Sequence, residues 1–221
     1  LYKLLAADAA QTGLTTVAAV DWEREAVADA PGRIPFLLNK YGEHAATEER
    51  TYYTIDRYTN VDTAASWSLY STLEPLTVTL DGGISLTGIA AGTHGGAQLP
   101  TQAGAAEVKP LPAGPDPLWL ALRWGADGPP KANYRLSLRL FDAAGAAVRQ
   151  QDSSLVDDLN RPTSQWTGGQ VVESYHTLAL PADLPPGRYE LRAIVYDETT
   201  LTPIVQVGVW TPEIPLAQVG R

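Results

Sequence analysis

Side chains that could bind a metal or act as acid and base are scattered through this sequence. One group of carboxylates, Asp152, Asp157 and Asp158, falls within nine residues that also contain two serines. Carboxylate and hydroxyl oxygens suit Ca²⁺, but the spacing is not that of an EF-hand loop. A glycosidase needs two carboxylates held across a sugar bond, and nothing in the spacing ensures that geometry. For these three residues an ordinary polar loop is favoured over a calcium site. A hydrolase is a less favoured function than the binding functions discussed next.

The histidines stand apart from one another. His44, His94 and His176 belong to no HxH or HExxH pattern, so they lack the companion ligands that a metal needs. His176 alternates with Leu178 and Leu180, which favours a half-buried strand position. The sequence has no Gly-x-Ser-x-Gly, P-loop or GxGxxG signature, and its lack of cysteine excludes thiolate chemistry and disulfides. We predict no cofactor and no catalytic residue.

Aromatic residues are more suggestive of a binding function. Exposed flat rings bind sugars by covering apolar C–H patches, and Trp166, Trp119 and Tyr175 lie in or beside predicted strands, with His176 next to Tyr175. Buried tryptophans also fill sandwich cores, and for Trp166 a structural role is favoured. Trp119 and Trp124 point to opposite faces of an alternating strand, so one of them should lie beneath the N-terminal segment or in a binding face. Trp166, Trp119, Tyr175 and His176 form the candidate ligand site.

The elements that would position these residues are short strands. Apolar residues alternate with polar ones over 118–124 and 134–141, and Asp81-Gly82-Gly83 and 142–145 are turn signals. The other strands are predicted at 76–80, 84–89, 147–152, 171–180, 189–197 and 204–210. Such spacing predicts a mainly β protein, with an antiparallel β-sandwich of immunoglobulin-like or jelly-roll-like type over residues 73–221.

Residues 1–72 differ in pattern and predict a small mixed α/β segment. Helices are expected over 1–10 and over 21–30, the second with Asp21 as its N-cap and Pro31-Gly32 as its stop. Strands are expected over 15–20 and 51–58.

A turn near the C-terminus resembles a tyrosine corner. Pro186 and Gly187 follow Pro185 and precede Tyr189, which begins a predicted strand. In immunoglobulin-like sandwiches a tyrosine so placed bonds back to the backbone and holds one end of the fold. We therefore expect Pro186, Gly187 and Tyr189 to be structural.

Charge and composition limit the partners. The 16 Lys and Arg against 25 Asp and Glu give a net charge of −9, which argues against nucleic acid. No window approaches the length of a membrane span. The sequence has no methionine, so we expect that Leu1 is not the first residue of the encoded protein and that a tether precedes it.

Several short motifs resemble a known bacterial β-domain by their order. They are Asn133-Tyr134, Leu140-Phe141-Asp142 with Gly145, Gln151-Asp152, Pro162-Thr163 with Trp166 and Gly168, Leu180-Pro181, Pro185-Pro186-Gly187 with Tyr189, and Tyr196-Asp197. Residues 76–207 thus resemble the extracytoplasmic domain that follows the membrane spans of bacterial glycosyltransferases using lipid-linked sugars, and of related proteins of unassigned function. The resemblance implies an accessory domain without an active site. Where relatives often carry histidine before the Asp142 turn, this chain does not.

Three functions follow as hypotheses. The first is a non-catalytic extracytoplasmic accessory or interaction domain, in the periplasm or at the cell surface, of a membrane-associated protein of glycosyltransferase type; its partner would be a glycan or the rest of that protein. The second is a carbohydrate-binding module that uses exposed tryptophan. The third is a subunit of a larger assembly, held by Trp22, Trp67 or the strand at 207–210.

Overall fold

A computed structural model describes residues 15–22, 33–62, 73–93, 109–110, 117–181, 183–209 and 211–220. The prediction of a mainly β protein is confirmed, with a β-sandwich preceded by a small segment that combines one helix with a three-stranded sheet. The boundary that we expected between residues 72 and 73 adjoins residues 63–72, which lie outside the described residues. Within the described residues, no helix has the length and apolar character needed to span a bilayer.

The elements follow one another in this order. The N-terminal part contains β1 (Val17–Trp22), α1 (Arg33–Tyr41), β2 (Glu43–Glu49) and β3 (Tyr53–Thr59). The sandwich contains β4 (Glu74–Leu80), β5 (Ile84–Gly92), β6 (Lys109–Pro110), β7 (Leu118–Ala126), β8 (Tyr134–Phe141), β9 (Ala147–Ser154), β10 (Val171–Leu178), β11 (Arg188–Asp197) and β12 (Glu213–Gly220).

Two sheets form the sandwich. One has four strands in the order β10-β7-β5-β4, and the other has five in the order β6-β12-β11-β8-β9. All neighbours are antiparallel except β6, which pairs parallel with the end of β12. Gly83 in the β4–β5 turn has φ +82° and Gly145 in the β8–β9 turn has φ +80°, a backbone region that only glycine enters at little cost.

The core lies between the sheets, where alternation predicted it. The inward residues of β7 and β8 are fully or almost fully buried, and they are Leu118, Leu120, Leu122, Trp124, Tyr134, Leu136, Leu138 and Leu140. Because successive side chains of a strand point to opposite faces, the residues between them form the two outer faces of the sandwich.

The N-terminal segment differs from its prediction in two places. Asp21 and Trp22 belong to β1, which pairs with β3, where we expected a helix to begin. A helix, α1, begins soon after Pro31-Gly32, where we expected one to end. Pro35 lies in its first turns, where a missing backbone N–H costs little. The helix expected over 1–10 lies outside the described residues, as do residues 23–30.

The C-terminal strand was also misplaced. The strand predicted over 204–210 is wrong in the residues that are described, since these form isolated bridges and a turn with Gly208 at φ +85°. The last strand is β12 instead. It contains Pro215, which cannot donate to a ladder, and β12 shifts register against Leu191 and Arg192 at that point.

Candidate functional site

The outer face of the four-stranded sheet is covered by helix α1. Trp119 is fully buried there and its indole N–H donates to the Thr93 carbonyl at 2.8 Å. Phe36 of α1 packs on Trp119 edge to face and lies 5.0 Å from Tyr175, centroid to centroid. Arg33, at the start of the helix, pairs with Asp158 and lies over the Tyr175 ring. Trp119 therefore lies beneath the N-terminal segment, one of the two positions that alternation allowed.

A lysine is enclosed in the same contact. The Nζ atom of Lys40 lies 4.7 Å from the centroid of the Trp119 ring and 5.3 Å from that of Tyr41. These distances are within the range of cation–π attraction. Burial lowers the pKa of Lys40 to about 8. The face of the sheet that carries Trp119 and Tyr175 is thus an internal contact of this chain.

Trp166 fills the sandwich core. Only 2% of the residue is exposed, and its indole N–H donates to the Arg161 carbonyl at 3.2 Å. Tyr175 is also buried, and its hydroxyl donates to Glu173. The hypothesis of a sugar platform on an exposed Trp166 or Trp119 is wrong for this conformation, because neither ring has a free face.

His176 points into the sandwich and away from Trp119 and Tyr175. Its Nε2 atom lies 2.8 Å from Ser174 Oγ, which also accepts from the Trp124 indole, and its Nδ1 atom lies 3.3 Å from Ser153 Oγ. Burial lowers the pKa of His176 to about 4, so the ring is neutral at pH 7. The four residues of the predicted ligand site are therefore not brought together: Trp119 and Tyr175 lie on an outer face, and His176 and Trp166 in the core.

Another histidine contact is exposed. Both Asp56 and Thr47 approach the same atom of His44, Nε2, at 3.0 Å. A catalytic relay needs the two ring nitrogens to contact different partners. This contact therefore stabilises the β2–β3 pair and does no relay chemistry. His94 lies outside the described residues.

The three carboxylates of the calcium candidate do not converge. Asp158 pairs with Arg33, and Asp152 lies on the outer face of the five-stranded sheet. Asp157 accepts hydrogen bonds from Arg161 and Leu159. Burial opposes ionisation of Asp157, but these hydrogen bonds outweigh it and lower the pKa of that carboxyl. Among the residues that the structure describes, no three metal-type side chains lie close enough to hold an ion.

Tyr189 has the geometry of a tyrosine corner. Its ring is buried and its hydroxyl donates to the Pro185 carbonyl at 2.6 Å, four residues upstream. Gly187 lies beside that ring, where an added Cβ would meet it at ordinary contact distance, and Pro186 is exposed in the bend. The bond fastens the turn to the start of β11.

The outer face of the five-stranded sheet is polar and differs from its counterpart. In the described part of the chain, no helix packs across it as α1 packs on β7 and β10. Register brings together side chains from three strands. We call this set the arginine face, and it consists of Arg135, Ser137 and Arg139 of β8, Gln150 and Asp152 of β9, and Tyr196 of β11.

Asp152 connects the arginine face. Its carboxylate accepts from Gln150 at 2.7 Å and from the Tyr196 hydroxyl at 3.2 Å, which reaches across β8. Burial opposes its ionisation, but hydrogen bonds from Gln150, Ser137 and Tyr196 outweigh that effect and lower the pKa of Asp152. Burial also raises the pKa of Tyr196, and the Asp152 charge adds to this. At neutral pH the face therefore holds a carboxylate and a phenol hydroxyl in a fixed arrangement.

The two arginines of this face are less fully paired. Arg139 Nε donates to Ser137 Oγ at 3.0 Å, and Ser137 is itself fully buried. The Nε atom of Arg135 is buried and has no hydrogen-bond partner in the described part of the protein. Sequence alternation showed Arg135, Ser137 and Arg139 on one side of a strand, but only strand register reveals Asp152 and Tyr196 as their neighbours.

Comparisons with known proteins show little beyond the type of fold. No family model matches the chain, and no curated protein matches it. The chain is similar to the C-terminal domain of Wzt, with 12% identity and a TM-score of 0.43 over 68% of this chain and 81% of that one. It is also similar to a putative ApaA protein from Bordetella pertussis, with 13% identity and a TM-score of 0.30 over 65% of this chain and 97% of that one.

A third solved structure is a β-glucuronidase from Bacteroides uniformis. It is 14% identical with a TM-score of 0.31, and the match covers 72% of this chain but 18% of the enzyme. At these scores the three similarities carry no argument about function. None of the three solved structures is described as a membrane glycosyltransferase.

Proposed function

We propose that this chain is a non-catalytic binding module that recognises a glycan on the arginine face. The observation that carries the proposal is the contrast between the two outer faces of the sandwich. One carries an apolar cluster that is covered by α1, whereas the other presents donors and acceptors from three strands with no described element across it. An uncovered polar sheet face leaves these groups accessible to a ligand.

The chemistry of the arginine face favours a saccharide over a peptide. A peptide that binds by strand addition uses an unpaired sheet edge and pockets for alternate side chains. Here the groups lie in the middle of a sheet, on β8 between β9 and β11. Guanidinium, amide, carboxylate and phenol groups match the closely spaced hydroxyls of a sugar, and the Tyr196 ring offers an apolar edge beside its hydroxyl.

An accessory role follows from the same arrangement. Asp152 is held ionised by hydrogen bonds from Gln150, Ser137 and Tyr196, whereas sugar hydrolysis requires a pair of carboxyl groups. We extend the proposal to an extracytoplasmic accessory domain of a membrane-associated protein of glycosyltransferase type, tethered by residues that precede Leu1. The resemblance described from the sequence supports that extension.

A glycan array tests the proposal. Purified chain should bind a defined class of glycans, and Tyr196→Ala should abolish the binding because it removes a hydroxyl and a ring from the arginine face. Tyr52→Ala is the matched control, since Tyr52 is exposed in the β2–β3 turn. Circular dichroism confirms that each variant is folded. Absence of binding, or binding that Tyr196→Ala leaves intact, would overturn the proposal.

A further inference from the structure

Six of the ten arginines that the structure describes contact a carboxylate, and four do not. The six are Arg33, Arg50, Arg57, Arg123, Arg161 and Arg192. On the arginine face, neither Arg135 nor Arg139 forms an ion pair with any described residue. Arg149 and Arg188 also form no ion pair with a described residue, but Arg135 and Arg139 differ from them in lying on one strand, β8, and on the same face of the sheet.

Arg192 lies on the same outer side of the five-stranded sheet, beside the arginine face, and its charge is neutralised. It binds Glu190 at 2.6 Å and Glu213 at 2.5 Å, and its guanidinium lies 4.6 Å from the centroid of the Phe141 ring. Its charge is thus satisfied within the protein. Arg139 is its direct neighbour across the β8–β11 pair, yet among the described residues it donates a hydrogen bond only to the neutral Ser137. The positive charge of this face therefore collects on β8.

Arg135 and Arg139 both lie near enough to Tyr196 for their charges to act on it. The Tyr196 hydroxyl in turn donates to Asp152. Asp152 is occupied by Gln150, Ser137 and Tyr196, and it makes no ion pair with either arginine. The charge of Asp152 attracts Arg139 through space, but the two groups do not form an ion pair.

A buried Nε without a partner is costly. A buried donor that lacks an acceptor loses its hydration without compensation, and native structures rarely leave such a group. The Arg135 side chain as a whole is half-buried, so a ligand can approach its guanidinium edge. Planar guanidinium groups bind carboxylate and phosphate oxygens in paired hydrogen bonds, which a neutral hydroxyl cannot match.

We propose that Arg135 and Arg139 bind an acidic group, so that the ligand of the arginine face is an anionic saccharide. This inference rests on the proposed function and specifies its ligand class. A uronic acid would supply the charge as carboxylate, and a phosphorylated sugar would supply it as phosphate. Both groups accept paired hydrogen bonds from guanidinium. Binding measured with carboxylate and phosphate probes distinguishes between them.

The test compares acidic glycans with neutral partners of the same chain. The probes are tetragalacturonic acid and its full methyl ester, and a phosphorylated mannan oligosaccharide and its dephosphorylated form. An acidic probe should bind about tenfold or more tightly than its neutral partner, in line with charge-assisted hydrogen bonds. Preference for the first pair identifies a carboxylate, and preference for the second identifies a phosphate.

Three variants locate the effect. Arg135→Gln and Arg139→Gln should each remove most of the acidic preference, and either is sufficient if the other fails to fold. Arg188→Gln is the control, because Arg188 is exposed at the opposite end of β11 and forms no ion pair with a described residue. Equal binding of acidic and neutral probes through a Tyr196-dependent face would overturn this inference and leave the proposed function standing. Lack of binding to any glycan would overturn both.

Discussion

Phe36 packs edge to face against Trp119, with 5.7 Å between the ring centroids. Phe36 belongs to α1 and Trp119 to the outer face of β7, so this contact joins the N-terminal segment to the sandwich. It also explains why an aromatic surface that looked suited to sugar binding is unavailable. The polar arginine face on the other sheet is the surface that we propose for a ligand.

Removal of the Phe36 ring should loosen this contact. Phe36 is fully buried, and truncation of a buried phenylalanine costs about 3–5 kcal/mol of unfolding free energy. We expect Phe36→Ala to lower the denaturation midpoint accordingly and to shift tryptophan emission to longer wavelength as Trp119 gains water. Tyr52→Ala should change neither quantity. A stable Phe36→Ala protein with unaltered emission would show that α1 does not cover Trp119.

Tyr189→Phe tests the tyrosine corner. The variant keeps the buried ring and removes only the hydroxyl that donates to Pro185. Loss of this bond should cost about 1–2 kcal/mol in denaturant unfolding and leave glycan binding unchanged. Tyr52→Phe, at an exposed position, is the control. If Tyr189→Phe were as stable as the original chain, the corner would have no structural role.

His176 should make stability depend on pH in mildly acidic solution. Its pKa is lowered by burial to about 4 in the folded chain and is 6.5 when unperturbed. The unfolded chain therefore takes up a proton between these values that the folded chain does not. Stability is complete above pH 6.5 and falls toward pH 4, by at most roughly 3 kcal/mol from this group.

Urea unfolding at pH 7 and pH 4.5 measures that loss. His176→Gln keeps a polar side chain beside Ser174 but has no titrating ring, so the difference between the two pH values should shrink. Carboxylates contribute equally to both proteins and cancel in the comparison. The same pH dependence in both proteins would mean that His176 is not buried as described.

Lys40 should give a dependence of the same sign in alkaline solution. Its pKa is lowered by burial from 10.5 to about 8, so between these values the unfolded chain is more protonated than the folded one. Stability should rise with pH across that window. The slope of unfolding free energy between pH 8 and pH 10 should be smaller in Lys40→Met. An equal slope in that variant would show that Lys40 keeps its ordinary titration.

Alternation was sufficient to predict most of the sandwich. It placed Trp124 and Trp119 on opposite faces of β7, and both were found there. It failed for α1, where Pro31-Gly32 looked like a stop, and for β12, where Pro215 interrupts a strand that a register shift accommodates. These two elements depend on contacts with distant parts of the chain that local patterns do not record.

The proposed binding surface was harder to predict, because it also depends on contacts between distant parts of the chain. Composition suggested tryptophan, but burial of Trp166 and Trp119 is decided by long-range packing. Arg135 and Arg139 were visible only as polar positions in an alternating strand. Their proximity to Tyr196 arises from the pairing of β8 with β11, which lies more than forty residues further along the chain. The two-residue period of a strand pattern does not show which strands pair.

An NMR titration of arginine side chains measures whether a glycan binds on the arginine face. The Nε–H signals of isotope-labelled protein are followed as tetragalacturonic acid is added, or the phosphorylated mannan oligosaccharide if it binds more tightly. The account predicts that the signals of Arg135 and Arg139 shift in a saturable manner and that the signal of Arg188 does not. Shifts confined to other residues, or none at saturating glycan, would contradict it.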